Sequence, residues 1–361
     1  MLSAATTRLF VALAIVIAGP ATAAAKEPKP WKVEGKLLGE VDGNDVAKSK
    51  DVSGLACAPG ASLPRLCLLV DDETQGAQIV LLHKNSLTAG EFIRLIYKQF
   101  KGEPLELDAE AVAFDNDDGK SDDNFYVVGS HGRARHEQND PEKEAENNAK
   151  AEASRHIFRI GLTAAQVDMS TGKLSDKPTI SQPKTLTDIL QRHPEIAAAH
   201  DRALADNGLT IEGIAVRKGR LYIGMRGPVI GDDAAVVSVA IASVFDGAPA
   251  DSNLHRLKLD TDKRGKVRGI RDIVRHGDGF LVLAGPVNDP KGGDVEDGDY
   301  SIYPWDGASQ PSARADLKSF GEKVKPEGLL PLDGDTARAR VLVLFDGPKE
   351  GSPTPLELEF Q

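Results

Sequence analysis

Short apolar strands separated by turns recur along the chain in a fixed order. In five places a small or charged residue precedes a short apolar strand: Ser53-Gly-Leu-Ala56, Glu110-Ala-Val-Ala113, Glu212-Gly-Ile-Ala215, Arg271-Asp-Ile-Val274 and Glu327-Gly-Leu-Leu330. Three of the four intervals between these starts are about 57 residues, and the interval from 110 to 212 is longer. A turn and a second, more apolar strand follow each copy, namely Leu66–Val70, Phe125–Val128, Leu221–Met225, Phe280–Leu283 and Val341–Phe345. Short strands at such a period are typical of four-stranded propeller blades.

The pattern therefore predicts an all-β fold, a β-propeller with five recognisable blades in a single domain over residues 31–361. The segment Trp31–Leu37 is a candidate for the outer strand of the last blade, which would close the ring. Two insertions account for the long interval. The charged stretch at about 132–153 has no apolar face and is predicted to be a flexible surface loop, whereas 186–206 has helical spacing of apolar residues and predicts a helix on the ring. A degenerate sixth blade in this interval is the alternative.

The first 25 residues have the pattern of a secretory signal peptide. Arg8 precedes the apolar run Leu9–Ala18, and a Gly-Pro break leads to the small residues 21–25. The run is shorter than the roughly 20 apolar residues of a membrane span, so an anchor is the weaker interpretation. No later stretch approaches that length. We therefore expect a mature protein that is exported to the periplasm or secreted, without a membrane span.

Composition narrows the function classes. The 361 residues include 44 Lys and Arg against 55 Asp and Glu, for a net charge of −11, which argues against a nucleic-acid partner. The two cysteines, Cys57 and Cys67, are too few for a four-thiolate zinc site. If their two apolar segments are antiparallel neighbours, the thiols lie close together and an oxidising compartment would join them. Two reduced core cysteines are the alternative.

The repeat also brings polar residues to one face of the ring. The first strand of a blade lines the central channel and the second runs back, so the start of one and the end of the other share a face. Ser53, Glu110, Glu212, Arg271 and Glu327 stand at the first-strand starts. The second strands are followed by Asp71-Asp72, Ser130-His131, Arg226, Gly285 and Asp346. Carboxylates, two arginines and a histidine are thus predicted to meet at one mouth of the channel.

Several carboxylates around a narrow channel repel one another unless a cation lies between them. Oxygen ligands from Glu and Asp suit Ca²⁺ or Mg²⁺ rather than zinc, so Glu110, Glu212, Glu327 and Asp71 are the candidate ligands of a calcium ion. The alternative is that Arg226 and Arg271 pair with these glutamates and tie the blades together. Both arrangements can coexist at one mouth.

The segments Leu209–Ala215 with Leu221–Pro228, and Gly269–Ile273 with Gly279–Pro286, resemble a bacterial secreted family catalogued as domain of unknown function 3616. The resemblance covers roughly Val52–Phe345 and implies no activity. More distantly, the Glu-Gly-[Ile/Leu] strand start is similar to that of gluconolactonase-type propellers. That similarity implies a divalent-metal ligand at Glu212 and Glu327. The chain also looks like propellers described as esterase-like phytases.

Two functions follow from these observations. The first is a calcium-dependent hydrolase of a phosphoester, ester or lactone, in which Arg226 and Arg271 hold substrate charge and His131 or a free carboxylate moves protons. The second is a non-catalytic module that binds an anionic small molecule or a protein partner at the same mouth.

Overall fold

Five sheets arranged as a ring make up the protein in the computed structural model, which describes residues 28–42, 45–60, 62–115, 123–133, 141–335 and 337–361. The predicted signal peptide lies outside these residues. Blade 1 contains Val52–Cys57, Arg65–Asp71, Gly76–Leu82 and Ser86–Arg94. Blade 2 contains Ala109–Asp115, Asn124–Gly129, Ile157–Gly161 and Thr179–Ser181, and blade 3 contains Thr210–Arg217, Arg220–Ile230, Asp233–Ala240 and Ser252–Leu257. Blade 4 contains Arg268–His276, Gly279–Pro286, Ser301–Trp305 and Ala315–Asp316, and blade 5 contains Lys325–Gly334, Arg338–Asp346 and Thr354–Glu359.

The first strand of every blade faces the channel and contacts the first strand of the next blade. The first strand of blade 5 also contacts that of blade 1, so the ring is closed. Apolar side chains fill the spaces between neighbouring sheets in clusters that draw on two adjacent blades each. The five-bladed propeller is therefore confirmed, and the described part of the long interval forms no sixth blade.

The last blade is not completed as predicted. Lys32–Glu34 pairs in parallel with Ser86–Arg94 at the outer edge of blade 1, so the assignment of Trp31–Leu37 to blade 5 is wrong. The chain touches the last blade where the Trp31 N–H donates to the Pro353 carbonyl at 2.6 Å. Trp31 and Val33 pack on the apolar cluster that blades 1 and 5 share, so the strand covers the junction of the two blades while it pairs with blade 1.

The two insertions behave differently from one another. The prediction of a flexible loop at about 132–153 is wrong for Pro141–Ser154, because this segment forms an α-helix. Its alanines favour a helix, Ala151 and Ala153 are buried, and Glu146 pairs with Lys150 one turn later at 2.9 Å. In the 186–206 region two short helices, Thr185–Leu190 and Pro194–Ala197, pack on blades 2 and 3 as predicted. The spacing of apolar residues predicts one helix, but Pro194 begins a second helix and separates it from the first.

Smaller elements connect the blades. A further helix, Ile241–Phe245, lies in blade 3, and single 3₁₀ turns lie at Ala164–Gln166, Leu204–Asp206, Lys291–Gly293 and Lys349–Gly351. Three two-stranded ladders pair Leu38–Asp42 with Asp45–Lys48, Gln99–Phe100 with Glu103–Pro104, and Val167–Asp168 with Lys173–Leu174. None of the helices in the described ranges is long and apolar enough to cross a bilayer.

The cysteine pairing is confirmed. Cys57 and Cys67 are cross-strand partners in blade 1, with Cα atoms 3.9 Å apart, and they form a disulfide. The bond closes the turn between the first two strands of the blade at the end of the channel away from the mouth. A disulfide of this kind persists in an oxidising compartment.

Candidate functional site at the channel mouth

A β-bulge interrupts the first strand of every blade at the same register. In each of the five pairings between first and second strands the residue at this register has no cross-strand partner, and these residues are Ser53, Glu110, Glu212, Arg271 and Glu327. A bulge bends the strand locally and turns the extra side chain out of the regular alternation. The sequence repeat therefore marks the positions at which the backbone aims a side chain into the mouth.

All five bulge residues line one cavity of about 330 Å³ at the mouth. Residues that follow the second strands, together with the 3₁₀ turn at Leu204 and the end of helix Pro141–Ser154, form the rest of its wall. The cavity falls at the small end of the range for ligand pockets, so it suits a small molecule. The predicted meeting of the strand starts at one mouth is confirmed by this geometry.

The arginines pair with glutamates across three blades. Arg226 Nη1 lies 2.9 Å from Glu212 Oε1, and its Nη2 lies 2.7 Å from Asp289 Oδ1. Arg271 Nε lies 3.1 Å from Glu212 Oε2, and this arginine also binds both carboxylate oxygens of Glu327. The four side chains of Arg226, Arg271, Glu212 and Glu327 are called the ion-pair network, which ties blades 3, 4 and 5 together. Glu212 and Glu327 therefore contact arginine. This is the arrangement given above as the alternative to metal binding by these glutamates.

The charged forms of the arginines and glutamates in this network stabilise one another. Burial works against the charge of Arg271, but Glu212 and Glu327 outweigh it and raise the arginine's pKa well above its ordinary value. Burial raises the pKa of Glu327 to about 7, against the opposing effect of Arg271. Arg271 is only 2% exposed, and its Nη1 has no hydrogen-bond partner among the described residues. One buried N–H donor of the network thus remains available within the cavity wall.

Blades 1 and 2 contribute an acidic cluster on the other side of the mouth. One carboxylate oxygen each from Asp72, Asp108 and Glu110 lies within 4.8 Å of the other two. Asp72 follows the second strand of blade 1, whereas Asp108 precedes the first strand of blade 2 in a left-handed conformation with φ of 54°. All three residues are half-buried and line the cavity. This set of three is called the acidic cluster.

The carboxylates of the acidic cluster disfavour one another's charge. Burial and the neighbouring carboxylates raise the pKa of Asp72 and of Glu110 well above their ordinary values. Burial also raises the pKa of Asp108, although a hydrogen bond from Ser130 Oγ acts in the opposite direction. Asp72 Oδ1 is buried and has no hydrogen-bond partner in the part of the chain that the structure describes. A divalent cation would relieve both the repulsion and the unpaired oxygen.

Two predicted site residues lie apart from the cavity. Asp71 is buried behind the mouth, where its carboxylate accepts hydrogen bonds from Ser49 Oγ at 2.5 Å and from the Glu73 N–H at 3.1 Å. His131 is 1% exposed, and its Nδ1 lies 3.0 Å from the Gly129 carbonyl oxygen. Burial lowers the pKa of His131 to about 4, so its imidazole is neutral at ordinary pH. Asp72 and Asp108 take the places beside Glu110 in the mouth.

The comparisons with solved structures find distant likenesses. A gluconolactonase from Xanthomonas campestris is 10% identical over 96% of this chain and 99% of its own, with a TM-score of 0.33. An endo-arabinanase from Bacillus licheniformis is 8% identical over 91% of this chain and 96% of its own, with a TM-score of 0.36. A glucose dehydrogenase-like oxidoreductase from Thermus thermophilus is 12% identical over 90% of this chain and 100% of its own, with a TM-score of 0.38. Nothing about function follows from likenesses at this distance.

The sequence itself has one informative match. No curated protein matches it. The model of a protein family matches residues 61–354, most of the propeller and both of the segments whose motifs resemble that family. The chain therefore belongs to the family described as Protein of unknown function (DUF3616).

Proposed function

We propose that this protein is an exported calcium-dependent hydrolase that cleaves a small phosphoester, ester or lactone at the channel mouth. The observation that carries the proposal is the acidic cluster, in which oxygens of Asp72, Asp108 and Glu110 converge within 4.8 Å in a cavity of about 330 Å³. The secretory leader pattern and the disulfide support export to the periplasm or the medium.

The residues of the acidic cluster fit a calcium ion. Its three side chains offer only oxygen, which is the donor that hard divalent cations prefer, and calcium fills the remaining positions with water or substrate oxygen. The unpartnered Oδ1 of Asp72 is a buried acceptor that a cation would satisfy. When bound, the ion would supply Lewis-acid polarisation of a carbonyl or phosphoryl oxygen. Glu212 and Glu327 contact arginine and stay outside this ligand set.

The chain's own residues have distinct tasks in the hydrolysis. The oxygen of a water molecule forms a bond to the acyl carbon or phosphorus, the ester bond to the alcohol oxygen breaks, and a proton passes from the water to the departing oxygen. His131 is buried behind the mouth, so we assign the proton transfer to Glu106, a carboxylate that lines the cavity two residues before Asp108. On the opposite wall, Arg271 Nη1 has no hydrogen-bond partner among the described residues, and we assign it as a donor to the substrate.

Calcium binding and hydrolysis are tested together with one variant and one control. Asp72→Asn removes a charge from the acidic cluster, and no hydrogen bond to this side chain is lost among the described residues. Glu322→Gln makes the same kind of change at an exposed position. After chelation, calcium at one hundred times its dissociation constant should stabilise the wild type and Glu322→Gln by about 2.7 kcal/mol. Asp72→Asn should lose most of this gain, together with hydrolysis of nitrophenyl phosphate, nitrophenyl acetate or a lactone.

A non-catalytic binding module is the second candidate. This candidate is favoured because few polar groups at the mouth are free to take part in catalysis. Arg226, Glu212 and Glu327 are already paired, and His131 is buried. Calcium stabilisation without turnover of any substrate in the panel would establish the module and refute the hydrolase. Absence of a calcium-dependent shift in the wild type would refute both uses of the acidic cluster.

A further inference from the structure

The ionisable residues that line the mouth cavity are mostly acidic. Seven of them carry carboxyl groups and four are cationic: Asp72, Glu106, Asp108, Glu110, Glu212, Glu327 and Asp346 against Arg133, Lys150, Arg226 and Arg271. With every group ionised, the wall holds an excess of three negative charges. At a pH at which these carboxyl groups are ionised, an anion that enters this cavity alone therefore meets net repulsion.

The cations in the wall are already engaged by protein groups. Arg226 is bound by Glu212 and Asp289, and Lys150 lies 2.9 Å from Glu146 on its own helix. Arg133 Nη2 donates to Asn148 Oδ1 at 3.1 Å. A divalent ion in the acidic cluster would lower the negative excess from three to one and place two positive charges at a single point.

Arg271 is also paired, with Glu212 and Glu327, but one of its donors remains without a partner in the described part of the chain. It is 2% exposed and lines the cavity, and its Nη1 donor has no partner among the residues described. The glutamate oxygens around it already accept hydrogen bonds from Nε, Nη2 and Arg226. A buried donor that lacks an acceptor is unfavourable, and a ligand oxygen in the cavity would satisfy it.

We propose that the ligand of this mouth carries an oxyanion, phosphoryl or carboxylate, and that it binds only after the acidic cluster has taken a divalent cation. The cation and Arg271 Nη1 are the two positive features that this oxyanion meets. The inference rests on the proposed calcium-dependent function and names its substrate class. Binding of the cation and of the oxyanion are then thermodynamically coupled, and the coupling is the same in both directions.

The coupling is measured with two small probes that are observed directly by NMR. Methylphosphonate serves as the phosphoryl probe by its ³¹P signal, and trifluoroacetate serves as the carboxylate probe by its ¹⁹F signal. Each is titrated with the whole mature protein in chelator and again in saturating calcium. At least one of them should bind roughly tenfold or more tightly with calcium. Calorimetry should show calcium affinity raised by the same factor when that probe is saturating, and the probe that responds identifies the oxyanion.

Two variants and a neutral ligand assign the effect to the named groups. Dimethyl methylphosphonate has the same core without charge and should not bind under either condition. Asp72→Asn should remove the calcium dependence of probe binding. Arg271→Lys keeps a positive charge for Glu212 and Glu327 but removes Nη1, so calcium affinity should be retained while probe affinity falls roughly tenfold.

The outcomes separate this inference from the function on which it rests. Equal probe binding with and without calcium, or no binding of either probe beside normal calcium binding, would overturn the coupled oxyanion site and leave the calcium site standing. Failure of the wild type to bind calcium would overturn both. If Arg271→Lys does not fold, the reciprocal affinities measured on the wild type still decide the coupling.

Discussion

Replacement of Glu110 by glutamine should stabilise the protein when no cation is present. The carboxylate oxygens of the acidic cluster lie within 4.8 Å of one another, and two like charges at that distance repel by about 3 kcal/mol in an effective dielectric constant near 20. Glu110 meets this repulsion from both Asp72 and Asp108. Uptake of a proton relieves part of it, because the pKa of Glu110 is raised well above its ordinary value. We therefore expect Glu110→Gln to raise the unfolding free energy by about 2–3 kcal/mol in chelator.

Thermal unfolding at pH 8 checks this expectation. For a domain of this size the gain corresponds to a rise in Tm of about 3–4 °C. Added calcium should stabilise the wild type more than Glu110→Gln, so the difference between them should shrink or reverse. Glu322→Gln is the matched control and should leave the Tm unchanged, since Glu322 is exposed. A lower Tm for Glu110→Gln in chelator would show that the charge of Glu110 is net stabilising, and the repulsion argument would fail.

Three further predictions concern the groups around the acidic cluster. Arg271→Met leaves Glu212 and Glu327 buried without their shared partner. Urea unfolding should show that the free energy of unfolding falls by about 3–5 kcal/mol. A fall of less than about 1 kcal/mol would contradict a stabilising network. The pKa of His131 is about 4 in the fold against 6.5 unfolded, so the unfolded chain takes up the proton first and stability should fall by about 3 kcal/mol between pH 6.5 and 4. His131→Gln should flatten that pH profile, and an unchanged slope would assign it to other groups. Tyr300→Phe removes a buried hydroxyl with no partner among the described residues and should stabilise the protein by about 1 kcal/mol, whereas destabilisation would reveal a partner for the hydroxyl.

The repeat made the ring and the register of the mouth predictable from the sequence. Each blade places its first strand against the channel, so the period of about 57 residues fixes both the fold and the five residues that begin those strands. The pairing of Cys57 with Cys67 followed from the same antiparallel hairpin. These inferences are local, since each needs only the order of strands within one blade.

What the sequence left undetermined depends on contacts between blades. Pairing of Arg271 with Glu327 joins the first strands of blades 4 and 5, so it depends on how these neighbouring blades pack. Asp108 precedes its strand in a left-handed turn, a conformation that no feature of the repeat specifies. The outer strand Lys32–Glu34 pairs with blade 1 at its junction with blade 5, where the apolar contacts of Trp31 and Val33 are with both blades, so strand order alone does not determine its partner.

The bulge in each first strand separates the chemistry of the mouth from the strand register of the sheets. The extra residue has no cross-strand partner, so its replacement changes the wall of the cavity and leaves strand register intact. The ring thus offers five structurally equivalent positions, one for each blade, whose side chains face a common space. Ser53, the one uncharged member, is the natural place to begin redesign: a histidine there would add a nitrogen ligand beside the acidic cluster and move metal preference toward zinc.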